Sequence, residues 1–266
     1  MFNIIIEFFP SWKYNLFIIT INSTRNSVQE IIRVCQQKPS KKFFMKKSQI
    51  KSRDRVKDHG EVFTNEREVK AMCDLVKDET ERIDSRFLEP ACGNGNFLAE
   101  VLSRKLAVVR KRYAKSHDEY ERYSFLAVSS IYGVDILEDN TKECRERLYE
   151  IWNNEYSDVM KIDSSNKCRE AIKFLLLKNI VCGDALTLLQ NDGNPITFSE
   201  WAFLDKRRIN RRDFHLDTML RVRDDGIQGD LFDSSSGQWD QDMQSYLPDP
   251  VATYEPIDYL EVTENE

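Results

Sequence analysis

The segment that most constrains this chain is Phe87-Leu88-Glu89-Pro90-Ala91-Cys92-Gly93-Asn94-Gly95-Asn96-Phe97-Leu98, a short apolar strand that ends on a carboxylate and turns through two glycines into an amphipathic helix. Glycines at alternate positions let a backbone approach a ligand with no Cβ in the way, and the helix that follows offers unpaired N–H groups. A nucleotide-like ligand is expected there. A dinucleotide is disfavoured, because Leu98 stands where a dinucleotide fingerprint carries the third small residue that packs helix on strand.

Around this segment, apolar periodicity predicts strands over 86–89, 130–136 and 179–182 and helices over 66–83, 96–113, 138–152 and 167–177. Phe97, Val101, Leu102 and Leu106 form the buried stripe of the second helix, Thr64 is expected to cap the first, and 107–124 reads as extended helix plus a polar loop. Strands separated by helices are the pattern of a parallel sheet, so the class is α/β. Beyond it, 195–203 reads as one more strand and 217–222 as a helical turn or two. The stretch 226–250 is rich in Asp, Ser, Gln and Gly without a period and is expected to be disordered. The chain divides into an extension over 1–44, a ligand-binding domain over 45–204, a basic segment over 205–223 and an acidic, largely disordered tail over 224–266.

The net charge of −6 conceals an asymmetry. The tail holds eight Asp and four Glu with no Lys or Arg, so it carries −12 and leaves +6 on the rest. That positive charge concentrates in 41–57 and in Lys206, Arg207, Arg208, Arg211 and Arg212, which suit the phosphate backbone of DNA or, equally, a solvated basic face. The acidic tail could then mimic phosphate and block this patch. Six cysteines without a C-x-x-C pair suggest neither a disulfide scaffold nor a zinc site and fit a reducing cytoplasm. The apolar runs 4–6 and 16–21 fall short of the ~20 residues of a membrane span, and no secretory signal is recognisable.

Four segments in order, within 58–188, resemble the adenine-specific (N6) DNA methyltransferases of the class I fold, which use S-adenosylmethionine. Glu89-Pro90-Ala91-Cys92-Gly93-x-Gly95-x-Phe97 matches that family's cofactor loop, where the carboxylate and the turn's backbone hold the methionine end. Gly60-Glu61-Val62-Phe63-Thr64 looks like the upstream motif that folds over the methionine carboxylate, with Asn65 in place of the usual proline and hence a looser turn. The resemblance implies that Asp135 accepts hydrogen bonds from both ribose hydroxyls, with Ile136 beside it. It implies equally that Asp184 accepts from the adenine amine while Ala185 lies against the ring. Taken singly, each motif is as well read as a tight turn or a helix cap; their order and their place at strand ends favour the functional reading.

The family's catalytic run, Asn-Pro-Pro-Tyr or similar, is missing. Its side-chain acceptor and prolyl carbonyl take the hydrogens of the target amine while its ring stacks on the flipped base. The nearest stretch, Asn194-Pro195-Ile196-Thr197, puts Thr where the ring belongs and follows a polar turn rather than a strand. The resemblance therefore implies the cofactor-binding part of a split enzyme, of restriction-modification type, whose second polypeptide supplies the catalytic run and the rest of the sheet. An unpaired sheet edge and an uncovered apolar face would form the interface. The alternatives are a non-catalytic S-adenosylmethionine- or DNA-binding regulatory subunit, and catalysis by Asn194 and Pro195 with Phe198 or Trp201 as the stacking ring. A dinucleotide oxidoreductase is the weakest. Translation is expected to start at Met45; mass spectrometry of the native N-terminus should then yield no peptide from 1–44, and one such peptide would refute it.

Overall fold

The computed structural model describes residues 51–52, 54–55, 57, 64–217 and 245–263, with short strands at 5–7, 18–20 and 237–240. Among them the elements run β1 (Ile5–Glu7), β2 (Ile18–Thr20), α1 (Glu66–Leu75), α2 (Lys77–Thr80), β3 (Phe87–Glu89), α3 (Asn96–Tyr113), α4 (His117–Ser129), β4 (Ile131–Asp135), α5 (Glu138–Met160), α6 (Asn166–Asn179) and β5 (Ile180–Asp184). There follow β6 (Leu189–Gln190), β7 (Thr197–Phe203), β8 (Arg208–His215), β9 (Gly237–Asp240), β10 (Ser245–Pro248), β11 (Ala252–Thr253) and β12 (Ile257–Asp258). The class is α/β with a mixed sheet, ordered β1-β2-β3-β4-β5-β6, in which β3, β4 and β5 are parallel and the flanking pairs antiparallel. No helix among the described residues is long and apolar enough to cross a membrane.

Strand alternation sorts the core into two layers. Phe87, Ile131 and Ile180 face the helices and pack with Leu102, Leu106, Phe125, Leu148, Trp152 and Leu175. Leu88, Tyr132, Val134 and Val181 face the other way, onto Ile196, Phe198, Phe214 and Leu216 of the β7–β8 hairpin. Because each crossover between parallel neighbours carries its helices to the same side, the second face needs another cover, and the hairpin provides it. Tyr132 donates through its hydroxyl to the Ser199 carbonyl at 3.1 Å, and Arg86, just before β3, meets the buried Glu200 of β7 at 2.7 Å. Arg212 of β8 pairs with the same carboxylate.

Several expectations need correction. The stretch between α3 and β4 is a second full helix, α4, rather than a loop, and the first helix breaks at Val76 into α1 and α2. Asn65 rather than Thr64 caps α1, accepting from the Arg67 N–H at 2.9 Å, since its β-region backbone aims a short acceptor at the open turn. Part of the stretch expected to be disordered forms the β9–β10 hairpin. The tail is also folded where described: β11 and β12 pair with β8, and Tyr259 and Val262 are buried in the core. The remainder, 218–236, 241–244 and 264–266, lies outside the described residues. The outer edge of β3 is paired with β2 of the 1–44 extension and the hairpin covers the face behind the sheet, so that apolar face is not open as the split reading expected, while on the other side of the sheet β6 pairs with β5 only at Gly183 and Asp184.

Burial alone would push the Glu200 carboxyl up, yet it is held down at about 2, with the guanidiniums of Arg86 and Arg212 among the groups that lower it. Its stabilising effect is therefore complete above the unfolded carboxylate range and is lost as pH falls through about 2. Glu200→Gln should cost about 3 kcal/mol at neutral pH by leaving the cations uncompensated. Chemical denaturation should show the gap from wild type closing between about pH 4.5 and about pH 2; a gap that persists unchanged at low pH would refute this.

Candidate active site

The parallel register determines where the three acidic strand ends fall. Glu89 lies opposite Gly133, two residues before Asp135, and Asp135 lies opposite Cys182, two residues before Asp184. All three carboxylates thus stand on the helix-bearing face, each about one two-residue step, roughly 6.6 Å, farther along than its neighbour and roughly 4.8 Å to the side. They make an inclined row at the C-terminal end of the sheet.

The glycine loop closes over this row. The Cys92 N–H donates to the Val134 carbonyl at 2.8 Å, extending the ladder past β3, and the Gly93 N–H donates to Asp135 Oδ2 at 2.9 Å. Gly93 and Gly95 both have positive φ, and Gly95 caps α3 without a side-chain hydrogen bond, so the first turn of α3 has no side-chain cap. The space is tight: a Cβ on Gly95 would meet Cys144 Sγ at 2.6 Å, and one on Gly133 would meet Leu98 Cδ1 at 3.0 Å and Cys92 at 3.1 Å. Leu98, which disfavours a dinucleotide, is the side chain that packs into the gap left by Gly133.

The three carboxylates are not equivalent. Glu89 is 3% exposed, and its Oε2 is buried with no hydrogen-bond partner among the described residues. Burial, with the negative charge of Asp135 adding to it, pushes the Glu89 carboxyl well above the usual range. Asp135 is buried but well served: beside Gly93, it accepts at Oδ1 from the Leu137 N–H at 2.9 Å and from Asn140 Nδ2 at 3.1 Å. Asp184 is half-buried and accepts from the Leu186 N–H at 2.8 Å. Next to them Ile136 is 48% and Leu186 54% exposed, while Ala185 and Phe97 are packed against the apolar layers. Ala91 is exposed on the loop, and the Thr64 carbonyl accepts from Asn96 Nδ2 at 3.2 Å, bringing the start of α1 to the start of α3. Phe63 lies outside the described residues.

Sequence reasoning missed the supports on α5. Asn140, Glu143, Cys144 and Arg147 share one face at helical spacing. Glu143 accepts from Asn94 Nδ2 at 3.1 Å, and Arg147 donates to Asn96 Oδ1 and to the Asn94 carbonyl at 3.4 Å. The spacing i, i+3, i+4, i+7 was the available signal.

The basic residues are not brought together as a free patch. Arg211 is buried, pairs with Asp213 at 2.7 Å and lies over the Tyr254 ring; Arg212 is held by Glu200, Arg207 by Asp258 at 2.6 Å and Arg208 by Asp205 at 2.7 Å. Lys206 is exposed at the hairpin tip. The alternative catalytic run is engaged elsewhere: Asn194 binds the Asp192 carboxylate at 2.8 Å, the Pro195 carbonyl accepts from Gln190 and Thr197, and Phe198 and Trp201 are buried. That reading is corrected, because neither ring can reach a base. Two surface grooves, of about 400 and 600 Å³, lie among the helices and do not include the strand ends.

No protein-family model matches this chain, and no curated protein or solved structure shows significant similarity to it. The Gly95 contact gives a direct check on the loop. Gly95→Ala should destabilise the protein by about 2 kcal/mol more than Gly193→Ala, which has the same sign of φ but nothing within 4 Å. Combining it with Cys144→Ala should restore part of the difference in thermal or urea unfolding, and strictly additive losses would show that the contact is not the cause.

Proposed function

We propose that the chain is the cofactor-binding subunit of a split adenine-N6 DNA methyltransferase with a partial class I methyltransferase fold, the catalytic Asn-Pro-Pro-aromatic run being carried by a partner polypeptide. The single observation that carries this reading is the row of three carboxylates at adjacent parallel strand ends beneath a positive-φ glycine loop, with one buried carboxylate oxygen, Glu89 Oε2, left without a partner among the described residues. Parallel α/β sheets bind ligands at this end. A step of roughly 8 Å between successive carboxylates suits a ligand with an amine, a diol and an aromatic amine in line.

The donor set fits S-adenosylmethionine, which when bound supplies an electrophilic methyl group on a sulfonium. Glu89 would hold the ammonium of its methionine part, which satisfies the unpartnered oxygen. Asp135 would accept from the ribose hydroxyls with lone pairs its three protein donors leave over. Asp184 would take the adenine amine, and the exposed Ile136 side chain would lie against the ring. The loop N–H groups and the first turn of α3 would meet the carboxylate. Since the face behind the sheet is covered, the partner would meet this chain at the strand ends and would bring the DNA there, because Lys206 at the hairpin tip lies toward the opposite ends of the strands, where Arg86 meets Glu200 and Asn179 meets Trp201.

A raised Glu89 pKa sets a sign. Below the range where Glu89 ionises, the free site holds a proton that a cationic group would displace, so there binding should release a proton and should tighten as pH rises through that range. Calorimetry in buffers of different ionisation enthalpy should detect the release for wild type and its loss in Glu89→Gln. Asp135→Asn should weaken binding by about tenfold or more. Methyl transfer to DNA should appear only when the partner is mixed in. Binding without transfer in the mixture would favour a regulatory subunit, and no binding at all would refute the assignment.

A further inference from the structure

Two cations upstream of the loop converge on the first turns of α5. Lys51 Nζ lies 2.6 Å from Glu143 Oε2, 3.3 Å from Asp139 Oδ2 and 2.8 Å from Asn140 Oδ1. Arg55 grips Asp139 with two nitrogens, at 2.6 and 3.1 Å, and reaches Asn140 Oδ1 at 3.2 Å. The fork geometry is the bidentate one that holds a guanidinium in a fixed orientation. Together the two cations hold the Asp139 carboxyl at about 2.

Asn140 is the pivot. Its side chain is buried, its oxygen faces both cations, and its amide nitrogen donates to Asp135 Oδ1 at 3.1 Å. Cations on one side settle which end of the amide is oxygen, so the NH₂ is committed to Asp135, and their charge polarises that donor. Glu143 forms a second link, taking Lys51 on one oxygen and Asn94 of the glycine loop on the other. Both the carboxylate at the end of β4 and the loop above it are therefore fixed, through one intermediary each, by the segment that carries Lys51 and Arg55.

We propose that this segment is a strap whose ionic docking on α5 positions Asp135 through Asn140 and the glycine loop through Glu143, so that ligand affinity at the strand ends is coupled to strap docking. Asn140 and Glu143 are positioning residues in this arrangement. The inference rests on the cofactor reading above and adds its regulation. Coupling is reciprocal: a ligand that prefers the held Asp135 must stabilise the docked strap by the same factor. The ion pairs are partly exposed, with the Lys51 side chain 28% and Asp139 54% accessible, which makes the device sensitive to salt.

The test uses the full chain, S-adenosylmethionine as probe, and the variant Lys51→Met/Arg55→Met, which keeps apolar stems and removes the charges. Calorimetry at about 50 and about 500 mM NaCl should show wild-type affinity falling about five- to tenfold with salt. The double variant should bind about five- to tenfold more weakly at low salt and respond little to added salt, while its melting temperature stays near that of wild type. Lys51→Arg should retain most of the affinity. Trypsin should cut at Lys51 and Arg55 more slowly when the probe is bound to wild type. A double variant with wild-type affinity and salt response overturns the strap alone, whereas a wild-type chain that fails to bind the probe at either salt concentration overturns the cofactor reading with it.

Discussion

The hydrogen bond from the Gly93 N–H to Asp135 Oδ2, at 2.9 Å, ties the turn after one parallel strand to the end of the next, and much of the site depends on it. It can form only if the loop lies low over β4. That requires the absence of a Cβ at Gly133, where Leu98 and Cys92 come in, and at Gly95, where Cys144 of α5 comes in. Two glycines on different elements thus serve one close approach. A strand, a loop and two helices meet there, and the acidic row is assembled as a consequence of their packing.

The same logic extends to the far ends of the strands. Lys105, on the buried side of α3, is fully enclosed, and its ammonium donates to the Ile83 carbonyl at 3.2 Å, to the Ser85 carbonyl and to Ser130 Oγ at 2.6 Å. Burial pushes its pKa well down, yet three acceptors satisfy its three donors. Those acceptors precede β3 and β4, so one side chain fixes the relative start of both strands while the glycine loop fixes their relative end. Register and the alignment of Glu89 with Gly133 follow from these two anchors. Behind the sheet, Arg86, Glu200 and Arg212 add a third tie that joins the hairpin layer to the start of β3.

How far the sequence revealed this differs by element. The strand–glycine–helix unit around Gly93, the strands ending at Asp135 and Asp184, and helices α3, α5 and α6 were readable because each is encoded locally, by period, by a carboxylate at a strand end or by a glycine pair. Helix α4 was missed because its polar first turn, His117-Asp118-Glu119, looks like a loop until Tyr120, Phe125 and Val128 are seen to be buried. Gly133 inside a strand carried no sign of its packing role, since the atoms that exclude a side chain there come from Leu98 and Cys92, more than thirty residues away. The folded tail was hidden for a similar reason. An acidic stretch without a period gains order from β8, whose edge its short strands pair with, and from the core that takes up Tyr259 and Val262.

The basic segment shows where composition misleads. Four of its five cations were expected to act alike with the fifth, but strand alternation and pairing give them different neighbours: Arg211 is buried against Asp213 and Tyr254, Arg212 turns to Glu200, and Arg207 and Arg208 meet Asp258 and Asp205. Asp258 belongs to the acidic tail, so part of the charge asymmetry along the chain is cancelled inside the fold. With Tyr259 donating to the buried Glu121 at 2.9 Å and packed against Phe125 and Phe203, that part of the tail is built into the core. A phosphate mimic must leave when phosphate arrives, and a segment anchored in this way cannot do so without exposing core. The pairing of residues 252–253 and 257–258 with the basic strand is therefore structural.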